Sequence, residues 1–344
     1  MSLTVEPYAG APEAWDAFVR RCEGWTPFHL HGWRAIYEGV FGHECPYLAA
    51  TDASGALAGV LPLVRVRSLV FGHYLVSLPF VNYGGPLGGE EAVRALAGRA
   101  ADLAQAGGVK LLELRSRGPQ PLALPVSHRK ITVVLDLAPG DPEAVWRRFP
   151  SKLRSQVRRP QKEGVEVRFG PDQVGPFYRV FAHHMRDLGT PVLPRRLFER
   201  LAESFGEEVW FGCAYLGARP IACGAGFRWD GEFEMTWASA LEAFSRIAPN
   251  MLLYWSFIER AAAAGLARFN FGRCTPGGGT HRFKRQWGSR DEQLWWYQWG
   301  EGAGAGAGTP SPDGGAYAWG PRLWRRLPVG LATWLGPRIV RGIP

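Results

Sequence analysis

The densest set of groups able to do chemistry lies between Phe269 and Gly288, F-N-F-G-R-C-T-P-G-G-G-T-H-R-F-K-R-Q-W-G. A short strand, Arg268–Phe271, is expected to run into a glycine-rich bend. Behind it come Arg282, Lys284 and Arg285, set among Phe283 and Trp287. Three consecutive glycines, Gly277, Gly278 and Gly279, would let main-chain N–H groups approach a ligand without side-chain interference. Cations behind such a bend, with Arg273 ahead of it, suit a phosphate, a carboxylate or a developing oxyanion. The aromatic–lysine–aromatic order of F-K-x-x-W-G would fix the Lys284 stem rather than leave it free. A surface loop carrying solvated cations is the plainer alternative.

A second cationic set occupies Pro150–Pro160, P-S-K-L-R-S-Q-V-R-R-P. Ser151 can cap a helix there. Lys152, Ser155 and Arg159 then share one face, and Arg154 and Arg158 another. With Arg147 and Arg148 this is the densest basic helix in the chain, and a solvated charged face is again the alternative. Arg186 and Asp187 sit in a polar turn, M-R-D-L-G-T-P. His29-x-His31 and His183-His184 have no carboxylate or thiol at metal-ligand spacing and read as structural, so no metal is expected. Cys274 lies beside the glycines, but no base is identifiable for it, so it reads as an incidental thiol. G-x-S-x-G, H-E-x-x-H and P-loop patterns are absent. A site of cations and polar turns stabilises anions without a bound cofactor. That suits acyl transfer to an amine, in which an oxyanion forms and collapses.

The elements that must position these groups recur. In the first half a helix pattern at His31–Val40 closes on Phe41-Gly42. Strands are expected at Pro46–Ala50, Ala58–Val66 and Tyr74–Leu78. A glycine-rich turn then leads to a helix at Glu91–Gln105 and to strands at Lys110–Arg115 and Ile131–Leu137. In the second half a helix at Arg195–Ser204 closes on Phe205-Gly206. Strands Val209–Leu216, Pro220–Trp229 and Glu232–Ala238 follow, the last two joined by an Asp230-Gly231 hairpin turn. Helix Pro249–Ala263 and strands Arg268–Phe271 and Gln293–Trp299 complete it. The spacing fits a duplicated domain of mixed sheet with helices on both faces, an α/β (α+β) class. The expected boundaries are 1–145 and 146–299, then a Gly/Ala-rich flexible linker at 300–316 and a basic amphipathic tail at 317–344.

The bulk numbers agree. A chain of 344 residues holds two ordinary domains, and 46% hydrophobic content with 15 tryptophans makes large cores. Forty basic residues against 31 acidic ones favour an anionic partner: nucleic acid, a nucleotide-linked substrate or an anionic membrane surface. Five cysteines without C-x-x-C spacing fit a reduced compartment. No basic n-region precedes an apolar h-region, and no apolar run reaches bilayer length, so a cytoplasmic protein is expected. The tail, with five arginines and no acid among its leucines and tryptophans, suits peripheral contact with the inner face of the membrane.

The S-K-x-R-x-x-x-R helix, the P-N-M-L-L-Y-W helix, strand F-N-F-G and G-T-H-R-F-K-R-Q-W-G, in that order, resemble the FemAB/FemX-like branch of the GNAT-fold acyltransferases. The resemblance runs to about Trp299. The M-R-D-L-G-T-P-V turn and the R-L-P…L-G-P tail look most like the subgroup associated with exosortase/PEP-CTERM exopolysaccharide systems. It implies two tandem GNAT-like domains, each a mixed β-sheet flanked by helices. It also implies transfer of an acyl or aminoacyl group to an amine of a cell-envelope or exopolysaccharide precursor. By resemblance Lys284 is the catalytic residue. Lys152, Arg154, Arg158, Arg186, Asp187, Asn250, Arg273, Gly278, Gly279, Phe283 and Trp287 are substrate-binding candidates. The donor stays open between aminoacyl-tRNA, acyl-CoA and acyl carrier protein, and the acceptor is a nucleotide- or lipid-linked saccharide. Ser245–Asn250, S-R-I-A-P-N, lacks the acyl-CoA signature [QR]-x-x-G-x-[GA] expected before Pro249. Two alternatives are a tRNA-dependent peptidoglycan bridge enzyme and a non-catalytic protein that binds a nucleotide-sugar or lipid-linked precursor.

Overall fold

The computed structural model describes residues 3–304 and 319–344. Residues 305–316 of the expected linker therefore lie outside the described residues. The chain begins with β1 (Thr4–Pro7), α1 (Pro12–Val19), α2 (Gly32–Ile36), β2 (Leu48–Thr51), β3 (Leu57–Leu61), β4 (Val64–Ser68) and β5 (Gly72–Val76). Next come β6 (Leu87–Gly88), α3 (Glu90–Ala106), β7 (Leu111–Ser116), β8 (Val126–Ser127) and β9 (Ile131–Asp136). The middle holds α4 (Pro142–Arg148), α5 (Ser151–Lys162), β10 (Val165–Phe169), α6 (Val174–Leu188), α7 (Arg195–Phe205), β11 (Val209–Leu216), β12 (Arg219–Trp229) and β13 (Glu232–Ala240). The last elements are α8 (Pro249–Ala263), β14 (Arg268–Cys274), α9 (Gly279–Arg285), β15 (Arg290–Gln293), β16 (Trp295–Gly300), α10 (Trp319–Trp324) and α11 (Val329–Val340).

Two compact units result. The first comprises Met1–Lys130, Gln293–Gly314 and Arg338–Pro344; the second comprises Ile131–Glu292 and Gly315–Pro337. The first has two sheets, β1-β2-β3-β6 and β4-β5-β7-β16-β8. The expected strand Ala58–Val66 is broken between β3 and β4 at Pro62, which has no N–H for a ladder. Helix α3 covers β2 and β3 with a stripe of small residues, Ala92, Ala97, Ala100 and Ala104. Gly59 makes the close approach possible, since a Cβ there would stand 2.8 Å from the Ala92 Cβ.

The second unit is one seven-stranded sheet, β10-β11-β12-β13-β14-β9-β15. Alternation along its strands feeds two apolar layers. Trp210 and Phe233 face α8, whereas Phe211 packs on Phe177 of α6 and Trp237 on Phe198 of α7. Helices therefore cover both faces. At the β12–β13 turn Asp230 and Gly231 both have positive φ, 37° and 73°, as a two-residue hairpin requires.

Each unit takes one strand from the part of the sequence assigned above to the other. Residues 131–136, expected to close the first domain, form β9 and pair antiparallel with β14. Residues 295–300, expected to end the second, form β16 and pair antiparallel with β7. Alternation identifies a strand but carries no information about its neighbour. The boundary between units accordingly falls at Lys130/Ile131 and not at 145/146.

Within the second unit the C-terminal segment, expected as a basic amphipathic tail, is a packed element. The Arg186 guanidinium donates to the Leu327 carbonyl at 3.0 Å, and Arg325 to the Leu188 carbonyl at 3.4 Å. Gly189 (φ 77°) lets Pro321 approach so closely that a Cβ would stand 2.6 Å from its carbonyl oxygen. Leu323 and Trp334 remain exposed.

Glycine substitutions test the sheet geometry. A Cβ on Gly226 of β12 would come within 1.9 Å of the Glu234 carbonyl oxygen in β13. Gly226→Ala should destabilise the protein by about 1–3 kcal/mol in denaturant titration. Gly98→Ala, on an exposed turn of α3 with no atom within 4 Å of the new Cβ, should stabilise it by roughly 0.5–1 kcal/mol.

Candidate active site

The site is built where two neighbouring strands part. β13 and β14 are parallel and registered over three pairs, Glu232↔Arg268, Phe233↔Phe269 and Glu234↔Asn270. The ladder between them ends there, while both strands run on. Irregularities at this level explain why. In β13 the register against β12 shifts between Met235 and Trp237, so Thr236 is an extra residue. In β14 the register against β9 shifts between Asn270 and Arg273, around Gly272 at φ 72°. A bulge bends its strand and re-aims the main chain.

Polar side chains hold the β14 bulge open. The Asn270 carbonyl oxygen accepts the Gly272 N–H at 2.8 Å and the Thr132 hydroxyl at 2.5 Å. Its amide donates to Glu232 at 2.9 Å, and Arg268 forms an ion pair with the same carboxylate at 3.0 Å. From the other side Lys284 donates to the carbonyls of Gly272 at 2.7 Å and Arg273 at 2.8 Å. Lys284 is 4% exposed. Burial lowers its ammonium from the ordinary lysine value to about 8. Cys274 and Glu234 oppose that fall and Arg273 adds to it.

The segment expected to be a loop around F-K-x-x-W-G is the helix α9, because its aromatic residues have a core to fill. Phe283 packs edge-on to Tyr254 of α8 at 4.9 Å between centroids. Trp287, fully buried, lies against Phe149, Tyr254 and Phe271. These contacts fix the lysine stem, and Trp287 serves as core. The glycines differ from the expectation too. Gly277 donates its N–H to His281 Nδ1 at 3.0 Å, and His281 Nε2 bonds Asp291 at 3.0 Å. Gly278 donates to the Thr275 carbonyl at 3.4 Å and caps α9, while Gly279 is its exposed first residue. The turn is thus braced by its own helix, and Arg282 adds a bond to the Gly277 carbonyl at 2.9 Å.

The basic helix α5 lies on the same face of the sheet, packed on α8 through Leu153 and Val157. Its first residue is Ser151, but no side chain caps it. Lys152 is exposed and Arg154 half-buried, and the Arg158 guanidinium stacks on Trp146 at 5.3 Å. Asn250 stands in the first turn of α8. The structure therefore gathers Lys284, Arg273, Phe283, Trp287, Gly278, Gly279, Asn250 and the α5 cations on one side of the second unit. Arg186 and Asp187 are not among them. They lie at the end of α6 on the opposite face, where Arg186 bonds Asp187 at 2.8 Å and His183 bonds Asp187 at 3.0 Å. The sequence reading missed Glu234 and Asn270, both fully buried where the strands part. The signal available was a pair of acids, Glu232 and Glu234, inside a strand otherwise rich in apolar residues. Among the described residues no cluster of three or more His, Cys, Asp or Glu could hold a metal.

Residues 147–285 match the model of an acetyltransferase (GNAT) domain. The second unit thus carries a GNAT acetyltransferase domain, and the chain has the GNAT fold. FemX superposes with a TM-score of 0.63 at 14% identity, covering 86% of this chain and 97% of that one. The C-terminal domain of a putative lysylphosphatidylglycerol synthetase from Agrobacterium fabrum gives 0.60 at 13% identity, covering 85% and 92%. A tandem GNAT protein from the clavulanic acid biosynthesis pathway gives 0.52 at 12%, covering 86% and 98%. No curated protein matches the chain. At these identities the likeness is one of fold: two tandem GNAT-like domains.

The first domain has the corresponding pair of strands in a different state. β5 and β7 are parallel over Tyr74↔Leu111, Leu75↔Leu112 and Val76↔Glu113. Beyond them its own segment 77–86 occupies the edge of β7. Ser77 donates to the Glu113 carbonyl at 2.9 Å, and Gly84 and Gly85 to the Arg115 carbonyl at 3.0 and 2.8 Å. The Arg115 side chain is tied to Glu113 at 2.8 Å and lies 4.6 Å from the Trp296 ring centroid. Val76 stands where the second domain has Glu234.

The buried lysine makes a linkage prediction. Its folded pKa, about 8, lies below the unfolded value near 10.5, so between those pH values the unfolded chain binds more protons. Stability should rise with pH across that window through this group. Denaturant titrations at pH 7.5 and 10 should show wild type gaining on Lys284→Met by about 1–3 kcal/mol. A constant difference between the two proteins would contradict a buried, titrating Lys284.

Proposed function

We propose that the protein transfers an acyl or aminoacyl group to an amine of a cell-envelope or exopolysaccharide precursor, with chemistry in the second domain. The observation that carries the reading is the parting of β13 and β14 beside the buried Lys284. An amide-bearing donor arm laid along β13 beyond Glu234 would pair with the open strand edge by hydrogen bonds to its main chain, and the acyl carbonyl it carries would reach the Lys284 ammonium. Two of that group's three N–H bonds go to the Gly272 and Arg273 carbonyls, which leaves one for the oxyanion. Glu234, a buried carboxyl within the field of Lys284, is a candidate to accept the acceptor amine's proton. The C–N bond then forms, the tetrahedral intermediate collapses, and the C–S or C–O bond to the donor breaks with the proton passing to the leaving group.

The envelope assignment and the PEP-CTERM-associated subgroup rest on the sequence resemblance. A neighbour named FemX and another named lysylphosphatidylglycerol synthetase support an envelope context. Lys152, Arg154 and Arg158 would contact phosphates of donor or acceptor. Exposed Leu323, Leu331 and Trp334, with Arg322, Arg325 and Arg326, would hold the C-terminal segment at an anionic membrane.

A donor screen tests the reading. Acyl-CoA, acyl carrier protein and aminoacyl-tRNA are offered in turn with nucleotide-linked amino sugars, and surface polysaccharide from a deletion strain is weighed by mass spectrometry. One donor should be consumed and one acyl mass lost from the polymer. No consumption of any donor with an unchanged polymer would favour the non-catalytic binding protein. Lys284→Met should lower kcat by about two orders of magnitude or more, the effect of losing one oxyanion donor. In wild type, kcat should decline as pH rises through about 8 and the ammonium deprotonates. Arg154→Ala with Arg158→Ala should raise KM more than it lowers kcat, and should reduce the salt dependence of binding.

A further inference from the structure

The first domain carries an exposed apolar feature that the transfer reaction does not use. β4 and β5 form a hairpin registered from Val64↔Val76 to Ser68↔Gly72. Its tip is Leu69-Val70-Phe71. Leu69 is fully exposed, at 108%, and Val70 is 66% exposed. Two adjacent aliphatic side chains, one fully and one largely exposed to water, are an unfavourable arrangement unless something covers them.

The tip is ordered by its own bonds. The Ser68 hydroxyl accepts the N–H groups of Val70 at 3.3 Å and Phe71 at 3.1 Å. The Tyr74 hydroxyl donates to the Phe71 carbonyl at 2.7 Å. Gly72, at φ 104°, closes the turn. A preformed wedge loses little conformational entropy when it inserts.

Cations surround the hairpin. Arg67, 68% exposed, precedes the tip. The Lys110 stem would lie 3.8 Å from a Cβ on Gly72. The end of the chain packs on the hairpin base, since a Cβ on Gly342 would stand 2.9 Å from the Ser68 hydroxyl, and this brings up exposed Arg341. Glu44 pairs with Arg65 at 3.2 Å and Arg67 at 3.8 Å, and Glu301 lies beside Lys110. The balance remains positive.

We propose that the β4–β5 hairpin is a membrane-contact wedge, with Leu69 and Val70 entering the headgroup–acyl boundary of an anionic bilayer and Arg67, Lys110 and Arg341 meeting its phosphates. Small aliphatic residues ringed by cations match such a surface, whereas a protein partner would be expected to meet a broader apolar patch. This deepens the envelope reading, yet it is tested without any transfer assay, so either can fail alone.

The full chain is sedimented with phosphatidylglycerol–phosphatidylcholine vesicles and with phosphatidylcholine alone. Wild type should bind the anionic vesicles, and Leu69→Ser with Val70→Ser should weaken that binding by about tenfold or more. Arg341→Glu should weaken it further in low salt than in high salt. The melting temperature of the double variant should match wild type, because both side chains are outside the core. Equal sedimentation of wild type and double variant would overturn the proposal, as would failure of wild type to bind. A change of oligomeric state in the variant, read by sedimentation velocity without vesicles, would show instead that the tip meets another protein chain.

Discussion

The second domain depends on one buried ammonium. Lys284 enters the edge of the sheet from α9 and satisfies two carbonyls that the β14 bulge would otherwise leave facing inward. An unsatisfied buried carbonyl is costly, so without such a donor the bulge would relax towards a regular strand. A regular β14 could continue pairing with β13, and the opening between them would close. The lysine thus maintains the opening and also supplies the positive charge that faces it. Its aromatic flanks, Phe283 and Trp287, are what hold α9 down so that the lysine can reach.

Duplication shows what the opening requires. The first domain has the same parallel pair over three residues, yet its own residues 77–86 lie along the strand that the second domain leaves available. Two residues of that segment, Leu78 and Phe80, adopt positive φ of 60° and 69°, a conformation costly for side chains of their size. Arg115, held between Glu113 and Trp296, secures the covering. One copy therefore spends its strand edge on internal cohesion and the other keeps it open, which fits a division into scaffold and chemistry.

Much of this was legible in the residues. The helix Pro249–Ala263 and the strands around Asp230-Gly231 follow from period and turn chemistry, and the tandem organisation follows from their recurrence. The F-K-x-x-W-G segment stood out because a lysine between aromatics has few reasons to be there. Its helical form was hidden by the three glycines, which pattern reading treats as a loop, although only Gly277 among them has positive φ. Glu234 was hidden because burial of an acid is decided by neighbours far away in sequence. Arg186 and Asp187 looked like site residues for the converse reason. Their polarity serves the docking of the C-terminal segment, a contact between positions about 140 apart in sequence.

The traded strands set an order of events for a chain leaving the ribosome. β16, which lies between β7 and β8 in the first domain's sheet, is made only when residue 300 is reached, whereas β7 is complete at Ser116. At about 5–20 residues per second that interval lasts on the order of ten to forty seconds. During it the edge of β7 that β16 will occupy has no native partner. β9, by contrast, emerges before the rest of its own sheet and waits for β14. Neither domain can therefore finish folding before nearly the whole body has been synthesised. The N-terminal domain, the first to appear, is the one most exposed to chaperones and to mispairing with another nascent chain.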